Sequence, residues 1–186
     1  MELSPLLQES LSELGRGGVD RKHPFRFVHL ATVTPEGLPD SRMLVLRQFD
    51  PQRLSLKIYT DARSRKTDHL AHQPIGTLLF WHPKKRWQFK VKAAFEIHTS
   101  GKAQELYQQL PQAGQASYNT LLHPGTPVSS MKEAHQLKAP FNGEDFAILE
   151  GQVQSLEVLR LQKRDHVRAK FTFEGQQLAS MDWLVP

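Results

Sequence analysis

Between Trp87 and Ile97 the chain alternates without a slip: Trp87, Phe89, Val91, Ala93 and Phe95 fall on one side of an extended backbone, and Gln88, Lys90 and Lys92 on the other. A period of two held over this length describes a strand with one face in a core and does not fit a helix. Further runs of strand character lie at residues 25–34, 40–49, 54–59, 76–81, 146–161, 167–173 and 177–184, the 146–161 run with a break near Gly151. In the first of these, Phe25, Phe27, His29 and Ala31 share one side, and Pro35, Glu36 and Gly37 turn it into the second as a hairpin. Many antiparallel strands with few helices favour closure into a small barrel, because closure removes the unpaired edges that an open sheet leaves. The expected architecture is mainly β, with peripheral helices around the barrel.

Leu3, Leu6, Leu7, Leu11 and Leu14 recur at helical spacing, so residues 3–14 read as an amphipathic helix ended by Gly15, Gly17 and Gly18. Residues 64–72 and 102–110 are the other helices. Residues 111–145, interrupted by Pro111, Pro124, Pro127 and Pro140, read as a short helix or two within irregular chain. No repeat divides the 186 residues, and residues 1–186 are expected to form a single domain. Within it, residues 1–18 carry the N-terminal helix and residues 98–145 a helical and irregular excursion.

Composition narrows the chemistry. With no cysteine there is no disulfide, thiolate metal ligand or cysteine nucleophile. No run approaches the roughly 18 apolar residues that cross a bilayer, and the first residues lack the pattern of a signal peptide, so no membrane partner and a cytoplasmic location are expected. The histidines and carboxylates show no metal-ligand spacing. A formal charge of +5 favours anionic partners.

The segment Tyr59-Thr60-Asp61-Ala62-Arg63-Ser64-Arg65-Lys66 shows where an anion belongs. An apolar strand ends in the hydroxyls of Tyr59 and Thr60, Ser64 stands at an N-cap position, and Arg63, Arg65 and Lys66 gather at the helix start. A helix N-terminus presents unpaired N–H groups and the positive end of the dipole, where acids rather than cations are favoured; the added cations call for a phosphate. The alternative reading is a solvated basic turn. The Gln88, Lys90, Lys92 face is too cationic for a core and is either solvated or lines a groove. His69 and His72 read as exposed helix histidines, Trp87 and Phe89 as core, and Trp183 as core or dimer packing.

Taken in order, Arg42-Met43-Leu44-Val45-Leu46-Arg47, Tyr59-Thr60, Ser64-Arg65-Lys66, Trp87-Gln88-Phe89 and the end Trp183-Leu184-Val185-Pro186 resemble the pyridoxamine 5′-phosphate oxidase-related family of FMN-binding split barrels. The resemblance runs from about residue 25 to 97 and resumes weakly from 146. It implies a six-stranded antiparallel split β-barrel of FMN-binding type. Arg42, Arg65 and Lys66 would hold the FMN phosphate, and the backbone of Met43 to Leu46, Val45 included, would run along the isoalloxazine ring. Tyr59 and Thr60 would add contacts, Gln88 would reach the flavin from its strand, and Arg47 would sit nearer the ring and the substrate phosphate. It further implies a homodimer with FMN at the subunit interface and an oxidoreductase acting on a small-molecule substrate, with no catalytic acid or base assigned. Arg42 and Arg47 are an odd number of residues apart and so face opposite sides of a regular strand.

The chain also departs from the family. Tyr107 has no arginine near it, Asp165-His166-Val167-Arg168 carries the family's Arg and His in reversed order, Leu159 stands where the family places a tryptophan, and Lys170 takes the place of a late arginine. An oxidase of pyridoxine phosphate itself is therefore not expected. Two other classes remain as alternatives. One is a polyanion or nucleic-acid module using Lys84, Lys85, Arg86, Lys90, Lys92, Lys163 and Arg164 beside Trp81 and Trp87. The other is a haem-binding split barrel drawing on the nine histidines.

Overall fold

The computed structural model describes residues 2–186. Eight strands carry the fold: β1 (Phe27–Val33), β2 (Pro39–Asp50), β3 (Ser55–Asp61), β4 (Ile75–His82), β5 (Trp87–His98), β6 (Phe146–Arg160), β7 (Val167–Glu174) and β8 (Gln177–Leu184). Five helices surround them: α1 (Leu3–Val19), α2 (Arg65–His72), α3 (Lys102–Gln109), α4 (Gln112–Ala116) and α5 (Met131–Ala134). The strands pair antiparallel in the order β3-β2-β1-β4-β5-β6-β7-β8, and β3 also pairs with β6 along Ser55↔Gln152 to Asp61↔Phe146. That last pairing closes β1 to β6 into a six-stranded antiparallel barrel. The strands β7 and β8 continue the sheet outward from β6, so β6 belongs both to the barrel and to the wing.

Period-two alternation builds the interior. Trp87, Phe89, Val91, Ala93 and Phe95 of β5 point inward and are buried, joined by Val28 and Leu30 of β1 and Leu56 and Ile58 of β3. Fully burying side chains of this size contributes about 1.5–3 kcal/mol each, which makes this core the main support of the barrel. A smaller cluster of Ala103, Tyr107, Phe146 and Ile148, with Tyr59 and Tyr118 against it, fastens the excursion between β5 and β6 to the barrel wall.

Three local expectations change and a fourth narrows. Phe25 does not share the Phe27 side of a strand: Pro24–Arg26 form a 3-10 turn, Phe25 is buried, and β1 begins at Phe27. The helix α1 does not stop at its glycines but continues to Val19. A Cβ on Gly17 would lie 2.7 Å from the Phe25 Cβ, and one on Gly18 would lie 2.8 Å from the Phe49 nitrogen, so these glycines allow close packing rather than a stop. β6 runs unbroken through Gly151, where a Cβ would meet the Phe95 ring at 2.9 Å; the register shift of this pair falls instead between Lys92 and Ala93. Trp183 is about half exposed, so of its two expected places the core is excluded.

Candidate functional site

Strand β3 delivers Tyr59 and Thr60 to the barrel end where α2 begins. Lys66, on the first turn of α2, turns back over this end: its Nζ donates to Thr60 Oγ1 at 2.9 Å and to Ser64 Oγ at 2.7 Å. Ser64 occupies the N-cap position, but its hydroxyl makes no capping bond to the helix backbone and is engaged with Lys66 instead. Burial, and next the nearby Arg42 charge, push the Lys66 pKa below the ordinary lysine value. A partly buried ammonium held only by neutral hydroxyls, with a guanidinium beside it, has unspent positive charge.

Arg42 reaches this place from β2. It shares the inward parity of Leu44 and Leu46, and at the barrel end its guanidinium donates to Leu30 O at 3.1 Å, Thr32 Oγ1 at 2.7 Å and Asp40 Oδ2. Thr32 Oγ1 in turn lies 2.9 Å from His69 Nδ1. His69 is thus a buried member of this network, not an exposed helix histidine, whereas His72 is exposed. Arg65 is exposed at the start of α2 and has no side-chain hydrogen bond or ion pair among the described residues. Arg63 leaves the cationic group that the sequence suggested: it is committed to Asp61 at 2.7 Å, Asp145 at 3.2 Å and the Thr120 carbonyl at 2.9 Å, bracing the excursion.

Arg47 lies on the other face of β2, as the odd spacing requires. Its guanidinium stands 5.3 Å from the Tyr59 ring centroid, and together with Val45 they line a cavity of about 440 Å³. Met43 is exposed on the same outer face, while Leu46 is fully buried in the barrel. Gln88 also faces outward, but in register it stands opposite Trp81 and Leu159, with β4 and β1 between it and β2. One chain therefore brings together Arg42, Thr60 and Lys66, sets Val45, Arg47 and Tyr59 around the cavity, and holds Gln88 apart from both groups.

Sequence reasoning missed Thr32, Asp40 and His69 around Arg42, and Arg21, Arg26 and Tyr118 around Arg47. Asp40 stands two residues before Arg42 on β2 with no pattern to mark it, and the others come from segments distant in sequence. Another polar cluster, Glu13, His23 and His82, has ligand-type atoms within 4.8 Å of one another. Both histidines accept a backbone N–H at Nδ1, from Phe25 and from Lys85, which assigns the N–H end to Nε2 and aims it at Glu13. Lys85 Nζ lies 2.9 Å from the same carboxylate. The cluster is a polar network joining α1 to the β4–β5 hairpin, and with each Nδ1 accepting a backbone N–H and the proton on Nε2 neither ring has a lone pair left for a cation. Lys85, with Glu13, and Lys90, 2.8 Å from Glu157, are likewise paired, which reduces the charge free for a polyanion.

A six-stranded barrel extended by a two-stranded wing, with a hydroxyl-lined cationic cleft where a strand meets a helix start, is the frame of an FMN-binding split barrel. The profile described as "Pyridoxamine 5′-phosphate oxidase, FMN-binding domain" matches residues 2–99. The chain belongs to this family, whose domain is defined by FMN as cofactor. Pyridoxine/pyridoxamine 5′-phosphate oxidase 2 of Arabidopsis thaliana is 32% identical over 120 residues, 60% of either chain. The corresponding oxidase of Nostoc punctiforme is 39% identical over 62 residues, 33% of this chain and 28% of the relative. The chain thus spans 60% or less of the length of these relatives. Two solved structures share the fold over the whole of this chain. A pyridoxamine 5′-phosphate oxidase-related, FMN-binding protein from Nostoc punctiforme superposes with a TM-score of 0.80 at 23% identity, over 100% of its own length. PhzG from Burkholderia lata, in complex with tetrahydrophenazine-1-carboxylic acid, superposes with a TM-score of 0.74 at 17% identity, over 93% of its length.

Proposed function

We propose that this protein is a homodimeric FMN-dependent oxidoreductase acting on a small organic molecule. The observation that carries the reading is Lys66: its ammonium, partly buried beside Arg42, is held only by the Thr60 and Ser64 hydroxyls, an arrangement that a phosphate completes. In this reading Arg42, Arg65 and Lys66 hold the FMN phosphate with Thr60 and the open backbone N–H groups at the start of α2. The backbone of Met43 to Leu46 and the side chains of Val45, Arg47 and Tyr59 border the ring. When bound, FMN supplies the hydride chemistry, while the protein's groups hold, orient and shield it.

The position of Gln88 supports the dimer. It stands on the outer sheet face away from the other ligands of its own chain, and a second copy brings it to them. The same face exposes Phe27, Met43, Leu79 and Trp81 on the adjacent strands β2, β1 and β4, and an apolar surface of this kind is suited to cover by a partner.

The test is titration of the purified protein with FMN and with riboflavin, followed by flavin fluorescence. FMN is expected to bind saturably, and riboflavin, lacking the phosphate, to bind at least roughly tenfold more weakly, as expected for losing one or more charge-assisted contacts of about 1.5–3 kcal/mol each. Equal affinity for the two flavins, or no binding of either, overturns the reading.

A further inference from the structure

A carboxylate stands among the cations of the Lys66 cleft. Asp40 and Arg42 are two residues apart on β2 and so share one of its faces, with Asp40 in register opposite Thr32. Their bond is unequal. Arg42 is held by the Leu30 carbonyl, the Thr32 hydroxyl and Asp40, whereas Asp40 has no side-chain hydrogen-bond donor other than Arg42 among the described residues. Thr32 Oγ1 accepts from Arg42, and its own O–H has no acceptor but His69 Nδ1, which assigns a lone pair to that ring atom and the ring proton to Nε2. His69 Nδ1 lies 3.9 Å from Asp40 Oδ2 and so offers it no proton. The Asp40 side chain is 42% exposed and that of Arg42 only 19%, so the carboxylate can turn to water while the guanidinium stays on its two inner bonds. Burial and then Arg42 depress the Lys66 pKa, and Asp61 and Asp40 act against them, so the Asp40 charge reaches both cations of the cleft.

We infer that Asp40 is a resident counter-anion that competes with the cofactor's phosphate for Arg42 and thereby sets the margin by which the cleft prefers FMN to riboflavin. A guanidinium has five N–H donors, and Arg42 spends three of them on the protein. A phosphate reaches Arg42 at the remaining two or by taking the one that Asp40 holds. In the first case a like charge stays beside a dianion, and in the second the Arg42–Asp40 ion pair is given up; either way the carboxylate weakens binding. The Leu30 and Thr32 bonds keep the guanidinium in place when Asp40 lets go, so the exchange moves one short, half-exposed side chain. The ligand-free cleft is partly neutralised, and FMN is held less tightly than the cations alone allow. The inference rests on the FMN reading of this cleft.

The test is titration of Asp40→Asn and the wild type with FMN and with riboflavin at neutral pH, followed by flavin fluorescence. Asparagine keeps the shape and an acceptor for Arg42 and removes the charge. FMN is expected to bind roughly three- to tenfold more tightly to the variant, the gain from removing one partly screened like charge, and riboflavin with unchanged affinity. Ligand-free Asp40→Asn is expected to melt below the wild type, since Arg42 and Lys66 lose their shared counter-ion. The opposite signs separate this role from a structural one: a residue that merely holds the cleft together loses stability and FMN affinity alike. Weaker or unchanged FMN binding overturns the inference, and so does an equal gain for both flavins, which would place the effect away from the phosphate. Asp40→Ser, which also removes the charge and keeps a short polar side chain, serves with the same expected outcome if Asp40→Asn does not fold. If the wild type takes up no flavin, both proteins are titrated with inorganic phosphate, followed by calorimetry. Tighter phosphate binding by the variant then supports the competing carboxylate although the FMN reading has failed, and equal, weaker or absent binding by the variant overturns it.

Discussion

The Lys66 ammonium has three N–H donors, and the protein offers two of them neutral hydroxyls. Its pKa lies below the unfolded value because of burial and then Arg42, so between the two values the unfolded chain binds the extra proton and stability rises with pH. Below the depressed value the charge is a constant cost to the ligand-free fold. Lys66→Met, which keeps the stem and removes the charge, is therefore expected to leave the ligand-free melting temperature at neutral pH unchanged or higher. FMN affinity should fall roughly 10- to 150-fold, the equivalent of one charge-assisted contact of about 1.5–3 kcal/mol. A clear drop in melting temperature would make Lys66 a structural cation. In the wild type, FMN affinity is expected to decline as pH rises through the Lys66 value, because only the protonated amine binds phosphate; Lys66→Arg should flatten that decline over the same range. Much of this cleft was legible in the sequence because Thr60, Ser64 and Lys66 lie within seven residues of one another. Arg63 was misread for the same reason: adjacency in sequence does not show that Asp145, more than eighty residues away, claims its charge.

At the scale of elements, period two marked the strands with one wet and one dry face, such as β1 and β5, while β6, which opens with four buried residues, and β8, which is exposed along nearly all its length, were legible only as runs between turn residues. Glycine was the ambiguous signal. The same residue ends a helix or lets two backbones touch, and only the neighbour across the contact tells which. The three glycines of α1 give opposite predictions. Nothing lies within 4 Å of a Cβ on Gly15, so Gly15→Ala should stabilise the protein by about 0.5–1 kcal/mol through helix propensity. At Gly18 the same change drives a Cβ to 2.8 Å from the Phe49 nitrogen and 3.1 Å from Gln48 backbone atoms, which cannot swing aside. Gly18→Ala should destabilise by about 1–3 kcal/mol despite the gain in propensity. Urea unfolding of the two variants checks the pair, and a common sign for both would show that α1 is not seated on β2 as described.

For the whole molecule, the outer face of the sheet ties oligomeric state to cofactor binding. One register row crosses seven strands through Met43, His29, Leu79, Lys90, Glu157, Lys170 and Asp182, apolar at the β2 and β4 end and charged toward the wing. Neighbouring strands stand about 4.8 Å apart, so Gln88 on β5 lies some three strand spacings, or about 14 Å, from Val45 on β2. No side chain of glutamine length bridges that gap within one chain. The sequence alone did not reveal this separation, because it depends on which strands lie between. If a second copy supplies Gln88, dimerisation and FMN binding must be linked, with FMN raising dimer stability and dimer dissociation lowering FMN affinity. Leu79→Asp/Trp81→Asp places two carboxylates on the exposed apolar part of this face without touching the cleft or the cavity. Sedimentation should show a monomer of unchanged secondary structure, and FMN affinity should fall to the level of Gln88→Ala or below. A monomeric variant that keeps wild-type FMN affinity would place the whole flavin site within one chain and leave Gln88 outside it.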